Sequence, residues 1–299
     1  MRRKSAAALA SWLLAFGILA FLVWRADRDA LFSALWSADL GRYALATTGF
    51  VGIWLSIDAF VLSWLFGRLG APTNWSEMVR FRGATYLFIV VSFHLANAAL
   101  VGLIHRKTGV PLARVTASML VLYVGDLAAL CGISFLASLG ASSPILSLIR
   151  PVLAALALGL LALFAAGLAL RTRLQGRPFF GVVADLGPLD VASLVGMRAV
   201  FYGSFVVYVW VTLPSFDIVL PLQAIASRMP VIMSIGALPI TPGGLGTTQA
   251  AMLAFFGELA DSGRVLAYAL VYGLSLIVFR LPIGAVLAPG VLGSLRARA

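Results

Sequence analysis

The chain has 299 residues, of which 62% are hydrophobic and 11% charged, and a mean hydropathy of +1.03. Soluble domains carry about a quarter charged residues, so the composition excludes an ordinary soluble domain and indicates a polytopic membrane protein. The formal charge of +11 does not point to nucleic acid, because the 22 Lys and Arg residues lie mostly at span ends and in short loops, where they set topology and meet anionic headgroups.

Apolar runs long enough to cross hydrocarbon as helices, about 20 residues each, fall at 7–24, 43–66, 83–104, 115–138, 146–170, 191–212, 218–238 and 265–288. The first has the basic start and apolar core of a signal peptide, but "RADRD" follows at once with no small-x-small cleavage site, so an uncleaved span is expected. "NWSEMVRFRG", residues 74–83, reads as a short interfacial helix carrying Glu77, Arg80 and Arg82. In the third run His94 and Asn97 share one helical face. Cys131 is the only cysteine and lies within the fourth run, which leaves no disulfide framework and no thiolate metal cluster. With only two histidines as well, neither metal nor cofactor is expected. The tryptophans fall largely near span ends, as interface anchors do.

Basic residues near span ends collect in the cytoplasm, which ranks the alternative topologies. If 83–104 dips into the membrane and returns, and 218–258 does the same from the other face, fourteen Lys/Arg lie inside, Arg82 among them. Only Arg25, Arg28, Arg42, Arg150 and Arg264 lie outside. If 83–104 crosses fully, the balance reverses. The expected fold is therefore an all-α transmembrane bundle with about six full spans and two re-entrant helical hairpins, both termini cytoplasmic in a bacterial-type inner membrane. Hairpins from opposite faces suggest an inverted repeat, with halves 1–170 and 191–299 joined by the loop 171–190 in a single membrane domain.

The least helix-compatible stretch is "LPITPGGLGTTQ", residues 238–249. Pro239 and Pro242 stop the arriving helix, while Gly243, Gly244 and Gly246 permit conformations other residues resist. "TTQAAMLAFFGELA" then starts a new helix that Thr247 or Thr248 would cap. A helix beginning inside the membrane leaves N–H groups free at its positive end, which suits an anion such as phosphate. The alternative is a plain structural turn.

"PITPGGLG", then a short apolar helix and "YALVYGLSLIVFRLPIGAVLAPGVL", resembles the C-terminal signature of the lysylphosphatidylglycerol synthase transmembrane-region, or flippase-like, family. That pattern runs Pro-Gly-Gly-Leu-Gly, a variable residue, Arg, Glu, and ends with an Arg in the last span. Pro242, Gly243, Gly244, Leu245, Gly246 and Arg280 match, whereas Thr248 and Gln249 stand at the Arg and Glu positions. The resemblance implies a stand-alone unit that moves lipids or lipid-linked intermediates between leaflets and lacks the family's soluble aminoacyl-transferase domain.

Ionisable residues at bilayer depth are costly, so they pair or line a watery path. Asp58, His94, Asp126, Arg198, Arg228 and Arg280 are the candidates. The expected phosphate site joins Gly243, Gly244, Gly246, Thr247, Thr248 and Gln249 to Arg280 and Arg228, whose guanidinium groups suit phosphate oxygens. Asp58, His94, Asn97 and Asp126 are assigned to the cavity wall or its gating, and Arg198 to snorkelling towards an interface. The expected ligand is a membrane lipid with an anionic or polyprenyl-linked headgroup, and a homo-oligomer or membrane partner is open. No catalytic residue is assigned. The rival readings are an intramembrane lipid-modifying transferase using His94 and Asp126, and a non-transporting accessory subunit.

Overall fold

Helix α1, Arg2–Arg25, has 24 residues, mostly alanine and large apolar side chains after a basic start. The computed structural model describes residues 2–89, 93–140, 143–174, 180–237 and 241–296. Asp27 accepts hydrogen bonds from the N–H groups of Asp29 and Ala30 and so starts the ten-residue α2, Arg28–Ser37. Asp39 does the same through Arg42 N–H for α3, Leu40–Arg68. Both acids therefore act as helix caps.

Asn74 and Glu77 form a reciprocal cap: Asn74 Oδ1 accepts from Glu77 N–H at 2.8 Å, and Glu77 Oε2 accepts from Asn74 N–H at 3.4 Å. The helix they open, α4, runs unbroken over Trp75–Ile89. Residues 74–83 are thus not a separate interfacial helix but the first half of a hairpin arm. The second arm is α5, Phe93–Thr108. At about 1.5 Å per residue neither arm spans a hydrocarbon layer of about 30 Å. Lys107 donates to Glu77 at 2.5 Å across the open end of the hairpin, and this hydrogen bond holds the Glu77 carboxyl below the ordinary glutamate range.

Two long helices follow, α6 at Leu112–Ser138 and α7 at Pro144–Ala169. Between α7 and the next long helix lie the short α8, Arg171–Leu174, and α9, Phe180–Ala184. Pro188 then opens α10, Pro188–Thr212, which tightens into a 3₁₀ turn at Leu213–Phe216. A second short-helix pair comprises α11, Leu222–Ala237, and α12, Thr247–Phe256. Residues 238–240, including Pro239, lie outside the described residues. Finally α13, Ser262–Val278, and α14, Arg280–Arg296, form one broken helix. Pro282 has no N–H to give the carbonyl of Val278, and the break falls at Phe279 and Arg280.

Among the described residues, five helical segments are long and apolar enough to cross a membrane, and Ser11–Arg25 is a shorter apolar helix. The chain is a multi-pass helical membrane protein. Interhelical contacts define two ends. At one, Asp39 N–H donates to Ser215 O at 2.9 Å and Ser143 Oγ to Glu258 at 3.0 Å. At the other, Arg68 meets Asp190 at 3.4 Å and Arg114 meets Asp185 at 2.5 Å. The base of the α4/α5 hairpin lies at the second end and that of α11/α12 at the first.

The packing separates into two apolar clusters, one towards each end. The three longest central helices pass through both. Helix α3 contributes Tyr43 and Phe50 to one cluster and Val61 to Phe66 to the other; α10 gives Phe205 and Val209 to one and Val191 and Leu194 to the other. Asp58, Asp126 and Arg198 sit where α3, α6 and α10 leave one cluster and reach the next. Within the first cluster hydroxyls bridge helices, as expected where water is absent: Tyr43 pairs with Ser275 at 2.7 Å, Tyr208 with Tyr43 at 3.0 Å and Thr212 with Tyr268 at 2.9 Å.

Candidate functional site

A cavity of about 410 Å³ occupies the layer between the two clusters. Both hairpins border it, the first through Ile89, His94 and Asn97 and the second through Gly236, Thr241, Gly243, Gly244 and Thr248. Ser11 and Trp12 of α1 complete one side. Short helices that end inside the bundle place backbone and polar tips at mid-depth, which is tolerated only where protein or water receives them.

The second hairpin turns on three glycines with positive φ, +61° at Gly243, +73° at Gly244 and +85° at Gly246. Space matters as well as conformation. A Cβ on Gly244 would lie 2.6 Å from Gly236 O and 2.7 Å from Thr248 Oγ1, and one on Gly246 would lie 3.0 Å from Ala15 O of α1. Gly246 itself precedes the first helical residue, so neither Thr247 nor Thr248 is the N-cap. Gln249, fully buried, reaches back instead: its Oε1 accepts from Gly246 N–H at 2.7 Å, while its Nε2 donates to Ala269 O of α13 at 3.2 Å. The missing side chain of Gly273 leaves room for that amide.

The buried charges form an ordered chain. Asp58 accepts from Arg82 Nε at 2.7 Å through one oxygen and from Arg198 Nη1 at 2.9 Å through the other. Arg198 Nε bonds in turn to Asp126. Arg82 also donates to Asn97 Oδ1 at 2.7 Å, joining the two arms of the first hairpin. Arg198 is 3% exposed and does not snorkel; two carboxylates hold it inside the bundle. Arg82, counted with the cytoplasmic residues, is buried because α4 carries it two turns into the hairpin. Without Arg82 the expected cytoplasmic count falls from fourteen to thirteen, against five outside.

Arg280 is different. It starts α14 at the helix break, is 8% exposed and, among the described residues, has no carboxylate within 4.0 Å. Its guanidinium lies 3.6 Å over the Trp54 ring and 5.6 Å from that of Tyr86, a cation–π arrangement. Close approach of α4 and α14 makes this geometry: a Cβ on Gly284 would stand 3.0 Å from Leu87 N, and one on Gly83 would strike Leu287.

Among the described residues, Arg280 Nε and Trp54 Nε1 are buried donors without an acceptor, and both residues belong to the cavity lining. An unpaired buried donor costs about 1–3 kcal/mol, and Arg280 adds a charge without a carboxylate partner. Such a cation selects an anion.

The expected site residues thus divide. Gly243, Gly244, Thr248, Gln249 and Arg280 line the cavity with Asp58, His94, Asn97 and Asp126. Gly246 and Thr247 support its turn. Arg228 is elsewhere: it donates to Phe255 O at 3.1 Å and Ala224 O at 3.3 Å, and lies 3.7 Å from Glu258. It clasps the base of the second hairpin, where a cation at the end of α12 meets the negative pole of that helix. His94 and Asp126 share the cavity, but Asp126 is engaged by Arg198. Two participants were not anticipated. Trp54 lies at the centre of α3, a position no interface anchor occupies, and Arg82 follows from extending the helix of residues 74–83 into the run after it.

Residues 8–284 match the family described as Lysylphosphatidylglycerol synthase TM region, and the chain belongs to that family. No curated protein matches it.

Proposed function

From that membership we propose that the protein is a lipid flippase or transporter, one that carries a phosphate-bearing lipid or lipid-linked intermediate between leaflets through the cavity at mid-depth. The observation that carries the reading is the Arg280 guanidinium, which lines the cavity between the two hairpins with no carboxylate beside it among the described residues. An anionic headgroup supplies the missing counterion. The two hairpins enter the membrane from opposite faces, and Ile89 and His94 of one and Gly243 and Gly244 of the other flank the headgroup. Exposure of the cavity alternately to each face moves the phosphate while acyl chains stay in lipid.

The asymmetry of basic residues supports cytoplasmic termini, in a bacterial-type inner membrane. No covalent chemistry is assigned, and the protein acts without a cofactor. Arg82 and Arg198 hold the walls of the cavity together through Asp58, so movement of the first hairpin goes with exchange of the Asp58 contacts.

The test is headgroup scrambling in proteoliposomes, read with fluorescent phospholipids and a membrane-impermeant quencher. Wild type is expected to expose the protected inner-leaflet pool, whereas Arg280→Met and Gly244→Leu do not. Wild type indistinguishable from empty liposomes across anionic and zwitterionic lipids would count against general phospholipid movement. Covalent turnover of the lipid in detergent would support the transferase alternative instead.

A further inference from the structure

Which anions the cavity accepts follows from counting its charges, and the count rests on the reading of an anion at Arg280. Arg82, Arg198 and Arg280 line it with Asp58 and Asp126. Three positive and two negative charges leave +1, with His94 counted neutral as in the chain total. The geometry assigns that surplus to one residue. Both Asp58 oxygens are taken by Arg82 and Arg198, and Asp126 is taken by Arg198. Arg280 alone faces the space without a carboxylate.

We infer that the cavity is built for a headgroup with a single negative charge, a phosphodiester, and that it selects against phosphomonoester and diphosphate headgroups. A phosphodiester places one charge on two unesterified oxygens. One such charge beside Arg280 brings the buried charge to zero. A second negative charge has no counterion: the remaining guanidiniums are already paired, and the start of α12 offers only a partial positive charge, about half a unit. Burying an unpaired charge is what such interiors penalise most. A headgroup of net zero charge supplies the anion but brings an extra cation beside Arg280.

The experiment measures equilibrium binding to the purified full chain in a neutral maltoside detergent, so that it does not depend on transport. Dihexanoyl phosphatidylglycerol, phosphatidic acid and phosphatidylcholine are compared at about pH 8, where a phosphomonoester carries nearly two charges. Wild type is expected to prefer phosphatidylglycerol over phosphatidic acid by on the order of tenfold, the effect of one unmatched charge at short range in a partly screened interior. Asp126→Asn raises the lining to +2 and should narrow or reverse that preference. Asp58→Asn makes the same change of charge on a different helix, should either variant fail to fold. Arg280→Met should remove the advantage of phosphatidylglycerol over phosphatidylcholine. Equal or tighter binding of phosphatidic acid to wild type, or a preference unmoved in the acid-to-amide variants, overturns the charge count while the anion reading stands. Neither anionic lipid binding better than phosphatidylcholine overturns both.

Discussion

Replacing Arg280 with methionine should make the protein more stable and useless to its ligand. Arg280 contributes a cation–π contact with Trp54 at 3.6 Å, worth about 0.5–2 kcal/mol. Against that stands the cost of a charge at mid-depth with no carboxylate partner, about 2.5–3.5 kcal/mol on insertion scales. Methionine has a similar unbranched stem and keeps contact with the ring through its sulfur. The difference favours Arg280→Met by about 0.5–3 kcal/mol in the absence of lipid. Denaturant unfolding in detergent would measure it, followed by the same titration with short-chain phosphatidylglycerol. Lipid should stabilise the wild type by mass action and leave the variant where it was. A variant less stable than wild type by more than about 1 kcal/mol would refute the reasoning, because Arg280 would then be holding the fold and its missing partner would be supplied within the chain.

The paired charges should behave in the opposite way. Asp58→Asn leaves the buried Arg82 without a carboxylate and Arg198 with Asp126 alone, and should cost about 3–5 kcal/mol in the same unfolding titration; a loss below about 1 kcal/mol would mean that water, and not Asp58, neutralises Arg82. At the turn, Gly243→Ala meets only the strain of positive φ, about 1–2 kcal/mol, since nothing stands within 4 Å of its Cβ. Gly244→Ala adds the overlap with Gly236 O and should cost more by about 1–3 kcal/mol, so equal losses at the two positions would contradict the described packing. Arg228→Gln should weaken the base of the second hairpin by about 1.5–3 kcal/mol while leaving phosphatidylglycerol affinity unchanged, and a lost affinity would return Arg228 to the binding site.

Much of the architecture was legible in the order of residues because a bilayer imposes so few solutions. Apolar runs of about 20 residues, the asymmetry of Lys and Arg, and the Pro-Gly-Gly break between two greasy segments each carry a physical constraint that acts locally. Short helical turns within 83–104 and 218–258 and the turn at Gly243 to Gly246 follow from those signals, whereas the start of the first pair at Trp75 does not, and Arg280 was singled out by the family resemblance. Helix α2 was not anticipated, since Asp27 and Asp39 were weighed as loop charges when they act as caps.

What the sequence determined by itself, then, is the solvent, the helical class and the places where helices must stop, since these depend on hydropathy and backbone geometry within a few residues. The pairing of charges was decided by tertiary structure alone. Two aspartates and several arginines at bilayer depth admit many matchings of similar cost. Only the packing of the helices gives Asp58 and Asp126 to Arg82 and Arg198, carries Arg228 away to the hairpin base, and leaves Arg280 against Trp54 with no carboxylate beside it among the described residues. Coulomb energy falls with distance through a position-dependent dielectric, and neither the distances nor the burial exist until the helices have packed.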